Sequence, residues 1–321
     1  MTMKTLLELK NIEVAFKTRH GVLKAVDDLS LTVQEGEILG IVGESGAGKS
    51  MTGAAIIGLI DPPGRLSAGE IWFGGERVDE HPERLRGREI SMIFQDPLTS
   101  LNPLRTVGDQ LVETILAHMP VSKEEAEKRA LDGLAEVGID PERINAYPHA
   151  FSGGMRQRVV IALALATEPK LVIADEPTTA LDVSVQAQVL DLLKRLCRER
   201  GTSVILITHD MGVIAQTSDR IAVMYAGRLA EIGGTREVLT NPQHPYTQGL
   251  MASTPSVDAK SFGAALIQIP GSMPKLDALP SGCAFNPRCQ HAHDRCRQER
   301  PSVQAGRAAC WLLETEQEGA A

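Results

Sequence analysis

The residues best suited to phosphate chemistry are residues 43–50, which read Gly-Glu-Ser-Gly-Ala-Gly-Lys-Ser. Residues 38–42 before them read as a short buried strand, and residues 49–60 read as a helix that stops at a double proline. Glycines in such a loop let backbone N–H groups face an anion, and the helix N-terminus adds partial positive charge. Lys49 would neutralise β and γ phosphates, and Ser50 would offer its hydroxyl to Mg²⁺. This context favours a nucleoside triphosphate site over a glycine-rich turn that binds nothing.

A pair of carboxylates follows a second apolar run. Residues 171–174 read as a fully buried strand, and Asp175 and Glu176 come directly after it. Open α/β sheets bind ligands at the carboxyl edge of their strands. Asp175 suits the Mg²⁺ sphere, and Glu176 suits polarising a water that attacks the γ-phosphate. Adjacent acids at a strand end can also be solvated turn residues, but after a phosphate loop we favour the catalytic interpretation.

Three other side chains are weaker candidates when each is taken alone. Gln95 ends the apolar run 90–94, so it is placed to reach a ligand at the sheet edge, although a surface loop position is the simpler interpretation. His209 follows the buried strand 204–207 and can hydrogen-bond a γ-phosphate oxygen or be purely structural. Phe16 can stack on a purine or belong to the core.

A second predicted anion site lies at Ser152, Gly153 and Gly154, just before the apolar helical run 159–166. Serine is a natural N-cap, and the two glycines leave the N–H groups of the first helical turn accessible. The neighbouring sequence is helical from Ser122 to Gly138, which suggests an inserted helical subdomain. Before the phosphate loop, by contrast, alternating apolar residues predict edge strands with a turn at Asn11.

Composition excludes several classes of function. The 321 residues carry a formal net charge of -8 and a pI near 5.6, which argues against broad, sequence-independent nucleic-acid binding. No run approaches the roughly 18 to 20 apolar residues of a membrane span. The N-terminal residues lack the apolar core of a signal peptide. We therefore expect a cytoplasmic chain whose membrane role, if any, comes through partners.

Taken together and in this order, the motifs resemble those of the ATP-binding cassette ATPase family. They are residues 43–50, Gln95, residues 151–155, residues 171–176, residues 180–182 and His209. The resemblance covers roughly residues 5–240. It implies an α/β P-loop NTPase cassette with an antiparallel β subdomain and an inserted α-helical subdomain at about residues 96–168.

The resemblance also implies a role for each matching residue. Phe16 would stack on adenine, and the nucleotide would be bound by Gly43, Ser45, Gly46, Ala47, Gly48, Lys49, Ser50 and Met51. Glu176 would be the catalytic base, with His209 as the γ-phosphate switch and Gln95 as a sensor of the transmembrane partner. Ser50, Gln95 and Asp175 would hold Mg²⁺.

Two further motifs belong to the contact between cassettes in this family. Ser152, Gly153 and Gly154 would reach the ATP bound by a second ATPase subunit, and Asp182 would form the D-loop. Phe151 and Met155 replace the family's usual Leu and Gln, and neither change removes the hydroxyl or the N–H groups that meet phosphate. Two cassettes would thus enclose two ATP molecules.

Residues 241–321 are similar to the C-terminal extension of dipeptide and oligopeptide importer cassettes, closest to the dipeptide type. The similarity rests on residues 241–250, 269–271 and 283–289, together with the loop 95–103. It implies an ATP-hydrolysing subunit at the cytoplasmic face of the inner membrane. Its partners would be a second ATPase, two transmembrane permeases and an extracytoplasmic peptide-binding protein, with no nucleic acid. The alternatives are a nickel or glutathione importer, or a soluble cassette ATPase that acts on nucleic acid or ribosomes.

Four of the five cysteines cluster in this extension, at Cys283, Cys289, Cys296 and Cys310. In a cytosolic chain such clustering favours a metal over disulfides. Four thiolates suit either tetrahedral Zn²⁺ or an iron–sulfur cluster, although the loose spacing lacks the tight pairs of common zinc ribbons. The resemblance to peptide-importer subunits implies a [4Fe-4S] cluster, with Zn²⁺ and then four unligated thiols as the alternatives. Our hypothesis for its role is structural.

Overall fold

The structure is a computed structural model, and it describes residues 4–19, 21–179, 181–253, 268–303 and 307–314. Leu98 lies within these ranges, but its side chain is not described. The chain divides into two compact units. The first unit comprises residues 1–6, 33–38 and 79–207; the second unit comprises residues 7–32, 39–78 and 208–321.

Strands and helices occur throughout the described residues. The strands are β1 (Thr5–Thr18), β2 (Gly21–Gln34), β3 (Ile38–Val42), β4 (Gly64–Phe73), β5 (Glu76–Arg77), β6 (Ile90–Ile93), β7 (Leu171–Asp175), β8 (Ser203–Thr208), β9 (Arg220–Tyr225) and β10 (Arg228–Gly234). The helices are α1 (Lys49–Ile57), α2 (Pro97–Ser100), α3 (Val107–His118), α4 (Lys123–Glu136), α5 (Gly153–Leu165), α6 (Val183–Arg200), α7 (Met211–Thr217), α8 (Thr235–Thr240), α9 (Pro245–Ser253) and α10 (Asp294–Gln298). Within the ranges described, no helix is both long and apolar enough to span a bilayer.

The second unit contains an antiparallel sheet in the order β2-β1-β4-β5, apart from the terminal residues of β1 and β2. The apolar residues of β1 face its core, with Leu7, Leu9 and Ile12 at most 1% exposed. The predicted turn at Asn11 is wrong, because β1 continues through this residue. Asn11 adopts φ 48°, and the register shifts between Lys10 and Glu13, so a bulge replaces the turn.

The second unit also contains β9, β10 and, apart from Ile38, β3. Strand β3 is buried at all five positions and pairs in parallel with β9, which pairs antiparallel with β10. A strand buried on both faces needs continuous apolar sequence rather than alternation, as residues 38–42 have. Helix α1 begins at the end of the phosphate loop and stops at Ile57, earlier than predicted, because Gly58 caps it with φ 70°.

The first unit contains the parallel strands β6, β7 and β8, with Ile93 opposite Ala174 and Asp175 opposite Ile207. Helices α2–α5 lie between β6 and β7 along the chain, within the segment expected to be helical. Helix α5 starts at Gly153, six residues before the predicted apolar run. Helix α6 packs Cys197 into the core, where burial raises the pKa of this thiol to about 12.

Candidate nucleotide site

The phosphate loop joins β3 to α1, as its sequence predicts. Two of its glycines are required by neighbouring backbone: a Cβ on Gly43 would lie 2.3 Å from the Met224 carbonyl oxygen, and one on Gly48 would lie 2.6 Å from the Ala25 carbonyl oxygen. Gly48 also has φ +98°, which L side chains rarely adopt. Ala47 is fully buried, and its carbonyl accepts a 2.9 Å hydrogen bond from the Gly227 N–H. The loop is therefore fixed by close backbone packing.

Lys49 is buried, with 6% exposure, and its ammonium group hydrogen-bonds to backbone carbonyls of its own loop. Nζ donates to the carbonyl oxygen of Gly43 at 2.8 Å and to that of Glu44 at 3.1 Å. Ser45, Gly46 and Ser50 are exposed. A buried cation beside exposed loop residues and a helix N-terminus is an arrangement suited to a polyphosphate.

Phe16, Met51 and His209 occupy other positions of the second unit. Phe16 is half-buried on β1, and its ring lies against Gly64, where a Cβ would approach it to 2.5 Å. Met51 is half-buried on α1. His209 is exposed between β8 and α7, and Asp210 caps that helix by accepting from the N–H groups of Gly212 and Val213. One side of the Phe16 ring thus packs against Gly64 within the protein.

In the first unit, the structure brings the predicted base and the predicted sensor together. The side-chain amide of Gln95 donates to Glu176 Oε2 at 3.0 Å, and the Thr179 hydroxyl donates to the same oxygen at 2.9 Å. Strands β6 and β7 are parallel neighbours, so residues just beyond their carboxyl ends meet. Asp175, the last residue of β7, is buried at 8% exposure.

The backbone of Glu176 is also unusual. It has φ 45°, a left-handed conformation that a glutamate adopts only at a cost, and its N–H donates to the Ile207 carbonyl oxygen at 2.8 Å. Strained backbone in a fold tends to mark functional positions. Two hydrogen-bond donors and a fixed backbone hold the carboxylate of Glu176 in one orientation.

The second predicted anion site also has the expected local form. Ser152 caps α5, with its hydroxyl oxygen accepting from the Met155 N–H at 3.4 Å, and Ser152 and Gly153 are exposed. Gly154 faces α6, because a Cβ there would lie 2.5 Å from Val185 Cγ1. The start of α5 therefore presents small, accessible groups on one side and packs tightly on the other.

Asp182 caps α6 through hydrogen bonds accepted from the Val185 N–H at 3.0 Å and the Ser184 hydroxyl at 2.8 Å. The hydrogen bond from the Val185 N–H, followed by that from Ser184, lowers the pKa of Asp182. The residue is therefore a charged N-cap in the structure.

The four clustered cysteines line one small cavity, which Phe285 and Trp311 help to close. Its volume is about 20 Å³, enough for a single water molecule. Burial raises the pKa of Cys283 to about 11 and also raises those of Cys289 and Cys310. Across the residues the structure describes, no three His, Cys, Asp or Glu side chains are placed to hold one metal ion. The [4Fe-4S] and Zn²⁺ interpretations thus gain no support from donor geometry.

Two residues that no local sequence pattern marked as site residues contact Glu44 of the phosphate loop in the structure. Arg288, between two of the clustered cysteines, forms a two-pronged ion pair with the Glu44 carboxylate. The Tyr246 hydroxyl accepts from the Glu44 N–H at 2.8 Å. The motif similarity of residues 283–289 singled out Arg288 only as part of a family pattern.

Comparisons with known proteins agree with this arrangement. A family profile described as ABC transporter matches residues 26–179, and one described as oligopeptide/dipeptide transporter, C-terminal region, matches residues 230–296. A dipeptide transport ATP-binding protein of Bacillus subtilis (strain 168) is 48% identical, covering 99% of this chain and 98% of its own. An oligopeptide transport ATP-binding protein of Salmonella typhimurium is 50% identical, covering 92% of this chain and 89% of its own.

Solved structures share the cassette fold. One is a dimeric ATP-binding cassette in a post-hydrolysis state with ADP and Pi bound, which is 30% identical with a TM-score of 0.65. It covers 72% of this chain and 99% of the cassette. The predicted α/β cassette, with antiparallel and parallel sheets, is therefore confirmed. The chain belongs to the ATP-binding cassette transporter family, in the group that carries the oligopeptide/dipeptide transporter C-terminal region.

Proposed function

We propose that this protein is the ATP-hydrolysing subunit of a membrane importer for dipeptides or oligopeptides. The observation that carries the proposal is the joint presence of a formed phosphate loop, a hydrogen-bonded carboxylate at Glu176 and the C-terminal region of the peptide-transport group. Relatives that align with more than nine-tenths of this chain are named as dipeptide and oligopeptide transport ATP-binding proteins. Nickel or glutathione import is the second candidate. In an importer of this kind the transported molecule does not contact the ATPase subunit, so the residues of this chain do not identify the cargo.

The chemistry we propose is hydrolysis of ATP to ADP and phosphate. Lys49 and the N–H groups of the phosphate loop bind the β and γ phosphates. Glu176 accepts a proton from the attacking water, and Gln95 and Thr179 keep its carboxylate oriented for that step. We assign adenine stacking to Phe16 and the γ-phosphate contact to His209.

The family resemblance implies Ser50, Gln95 and Asp175 as Mg²⁺ ligands, and each side chain carries an oxygen atom, the ligand type that this hard cation prefers. When bound, Mg²⁺ neutralises charge on the phosphates. Ser50 is exposed at the start of α1, so its hydroxyl is accessible to a solvated ion. We assign these three residues to the metal.

We propose that the working assembly contains a second, different ATPase subunit, two permease subunits and an extracytoplasmic peptide-binding protein. Ser152 and Gly153 are exposed at the start of α5, and together with Gly154 they would contact the ATP of the second subunit. Asp182, the N-cap of α6, would form the D-loop at the same interface. The protein would lie at the cytoplasmic face of the inner membrane and be held there by the permeases.

Affinity purification from detergent-solubilised membranes, under anaerobic conditions and with mass spectrometry, tests this assembly. We expect two multi-span proteins, a second cassette and an extracytoplasmic binding protein. Screening that binding protein with dipeptides, longer peptides, glutathione and nickel then identifies the cargo. Recovery of ribosomal proteins without multi-span partners would overturn the importer proposal.

We propose that Cys283, Cys289, Cys296 and Cys310 are the ligands of a [4Fe-4S] cluster, with Zn²⁺ as the alternative occupant. The support is that four thiols line one cavity in an extension of the peptide-transport type. Iron, sulfide and zinc analysis of anaerobically purified protein decides between them, and protein free of all three contradicts both.

A further inference from the structure

Glu44, the second residue of the phosphate loop, is held by the C-terminal extension of the same unit. Arg288 Nη1 donates to Glu44 Oε2 at 2.7 Å, and Nη2 donates to Oε1 at 2.9 Å. This paired geometry is the strongest form of a guanidinium–carboxylate contact. The two residues are 244 positions apart in the sequence. The extension thereby reaches into the loop that is proposed to bind phosphate.

Arg288 is itself fixed from several directions. Its side chain is 6% exposed, and its Nε donates to the Pro270 carbonyl oxygen at 2.8 Å. Its guanidinium lies 5.8 Å from the centre of the Phe285 ring and 5.9 Å from that of Tyr225. A buried guanidinium with this many partners leaves little freedom to the carboxylate it binds. Glu44, whose side chain is 29% exposed, is thus held at the loop surface.

Tyr246 holds the backbone of the same residue. Its ring is fully buried and packs edge-to-face on Tyr225, with ring centres 4.7 Å apart. Its hydroxyl oxygen accepts from the Glu44 N–H at 2.8 Å, and burial raises the pKa of Tyr246, so this hydroxyl stays neutral. The extension therefore contacts both the side chain and the backbone of Glu44.

Glu44 connects these contacts to the phosphate-binding lysine, because its carbonyl oxygen accepts from Lys49 Nζ at 3.1 Å. The extension also approaches the phosphate loop through Met273, whose methyl carbon would lie 2.9 Å from a Cβ added at Gly46. An unpaired Glu44 carboxylate beside a triphosphate would repel it, and Arg288 neutralises that charge. Both geometry and charge at the loop thus depend on the extension.

We propose that Arg288 is a positioning residue for nucleotide binding, which acts through Glu44 so that the C-terminal extension sets the affinity of the phosphate loop for ATP. Arg288 does not touch the reacting atoms in this account. The proposal requires only that the loop binds a nucleotide, and it holds whether the cargo is a peptide, glutathione or nickel.

A double-mutant cycle on the full chain tests the proposal. The variants are Arg288→Gln, Glu44→Gln and the double variant, with the ATP dissociation constant and the melting temperature without nucleotide measured for each. We expect Arg288→Gln to weaken ATP binding by about tenfold, since it leaves a charge unpaired beside the loop. Glu44→Gln should weaken binding less, and the double variant should bind ATP no more weakly than Arg288→Gln alone.

Additional variants separate positioning from general stability. Arg288→Lys keeps the charge and loses the paired geometry, so its ATP affinity should fall between wild type and Arg288→Gln. Arg297→Gln is the matched control, because Arg297 is exposed in the same extension and forms an ion pair with the exposed Asp294. It should change neither ATP affinity nor the melting temperature. In the assembled transporter, Arg288→Gln should raise KM for ATP with little change in kcat.

Two results would overturn the proposal. One is an unchanged ATP affinity in a folded Arg288→Gln or Arg288→Lys protein, which would make the ion pair a purely structural contact. The other is a loss of affinity from Arg288→Gln that is equally large when Glu44 is already Gln, because the effect would then not pass through Glu44. Neither result bears on the cargo or on the partner subunits.

Discussion

At the scale of single residues, the proposed ATPase chemistry depends on how two charged side chains are held. Glu176 has a left-handed backbone and two hydrogen-bond donors on one carboxylate oxygen. Lys49 is buried and bonded to two carbonyl oxygens of its own loop. Both side chains are thus oriented before any nucleotide arrives, which lowers the cost of ordering them on binding.

Glu176→Gln should abolish ATP turnover while ATP binding stays intact. The amide keeps the size of the carboxylate and can still accept from Thr179, but it cannot take a proton from water. Loss of a general base costs about 100- to 10,000-fold in rate. Steady-state hydrolysis and the ATP dissociation constant measure the two effects, with Glu199→Gln on the exposed face of α6 as control. Normal turnover by Glu176→Gln would remove Glu176 from the role of base.

Lys49→Ala should weaken ATP binding itself, by about tenfold or more, because it removes a charged donor from the phosphate site. The loop also loses both hydrogen bonds that the ammonium makes to Gly43 and Glu44. Titration with a fluorescent ATP analogue gives the affinity. Lys123→Ala, which removes an exposed lysine of α4, serves as control. Equal affinities for the two variants would contradict the role of Lys49.

At the scale of elements, the packing of α5 on α6 fixes the start of the helix that carries Ser152. Gly154 allows this contact, because a Cβ there would meet Val185 at 2.5 Å. Gly154→Ala should therefore lower the melting temperature. Gly133→Ala on α4 is the matched control, since nothing lies within 4 Å of its Cβ position. It should raise stability by about 0.5 to 1 kcal/mol through helix propensity. Similar thermal shifts for both variants would contradict this packing argument.

A second prediction at this scale concerns the ion pairs around Asp27 on β2. Burial would raise the pKa of Asp27, but hydrogen bonds from Arg228 and Lys24 outweigh it and hold the pKa below 3.8. The ionised form is thus favoured by folding, so its contribution is complete above about pH 4 and is lost as pH falls through the lower folded pKa.

Asp27→Asn should lower the unfolding free energy by about 1 to 3 kcal/mol at pH 7 and flatten its decline below pH 4. Urea unfolding between pH 3 and pH 7 provides the measurement. Asp132→Asn, at an exposed position of α4, should leave the profile unchanged. An Asp27→Asn profile parallel to that of wild type would show that these ion pairs do not contribute to acid sensitivity.

The sequence predicted these elements with uneven success, for physical reasons. The conformations of the phosphate loop and of the N-caps of α5 and α6 depend on residues close together in the sequence. Short sequence motifs therefore predict them. The sequence around Asn11 predicted a turn rather than a bulge, because both structures accommodate a residue in the left-handed conformation that Asn11 adopts. The contact between Arg288 and Glu44 left no local pattern, since it joins residues 244 positions apart.

At the scale of the whole molecule, the chain joins an ATP-hydrolysing cassette to a C-terminal extension of the peptide-transport type. Family membership follows from relatives near 50% identity over most of the chain. The phosphate loop and the extension lie in one compact unit, whereas Glu176, Gln95 and Ser152 lie in the other. Transport requires partners, so the importer proposal has to be tested on the assembled complex.

The most direct test is uptake of a labelled dipeptide by the purified complex in lipid vesicles, with its binding protein outside and ATP inside. The account predicts ATP-dependent accumulation with the wild-type chain and none with Glu176→Gln, although both bind ATP. ATP hydrolysis that is coupled to nickel or glutathione uptake, with no uptake of any peptide tested, would contradict the peptide-importer assignment.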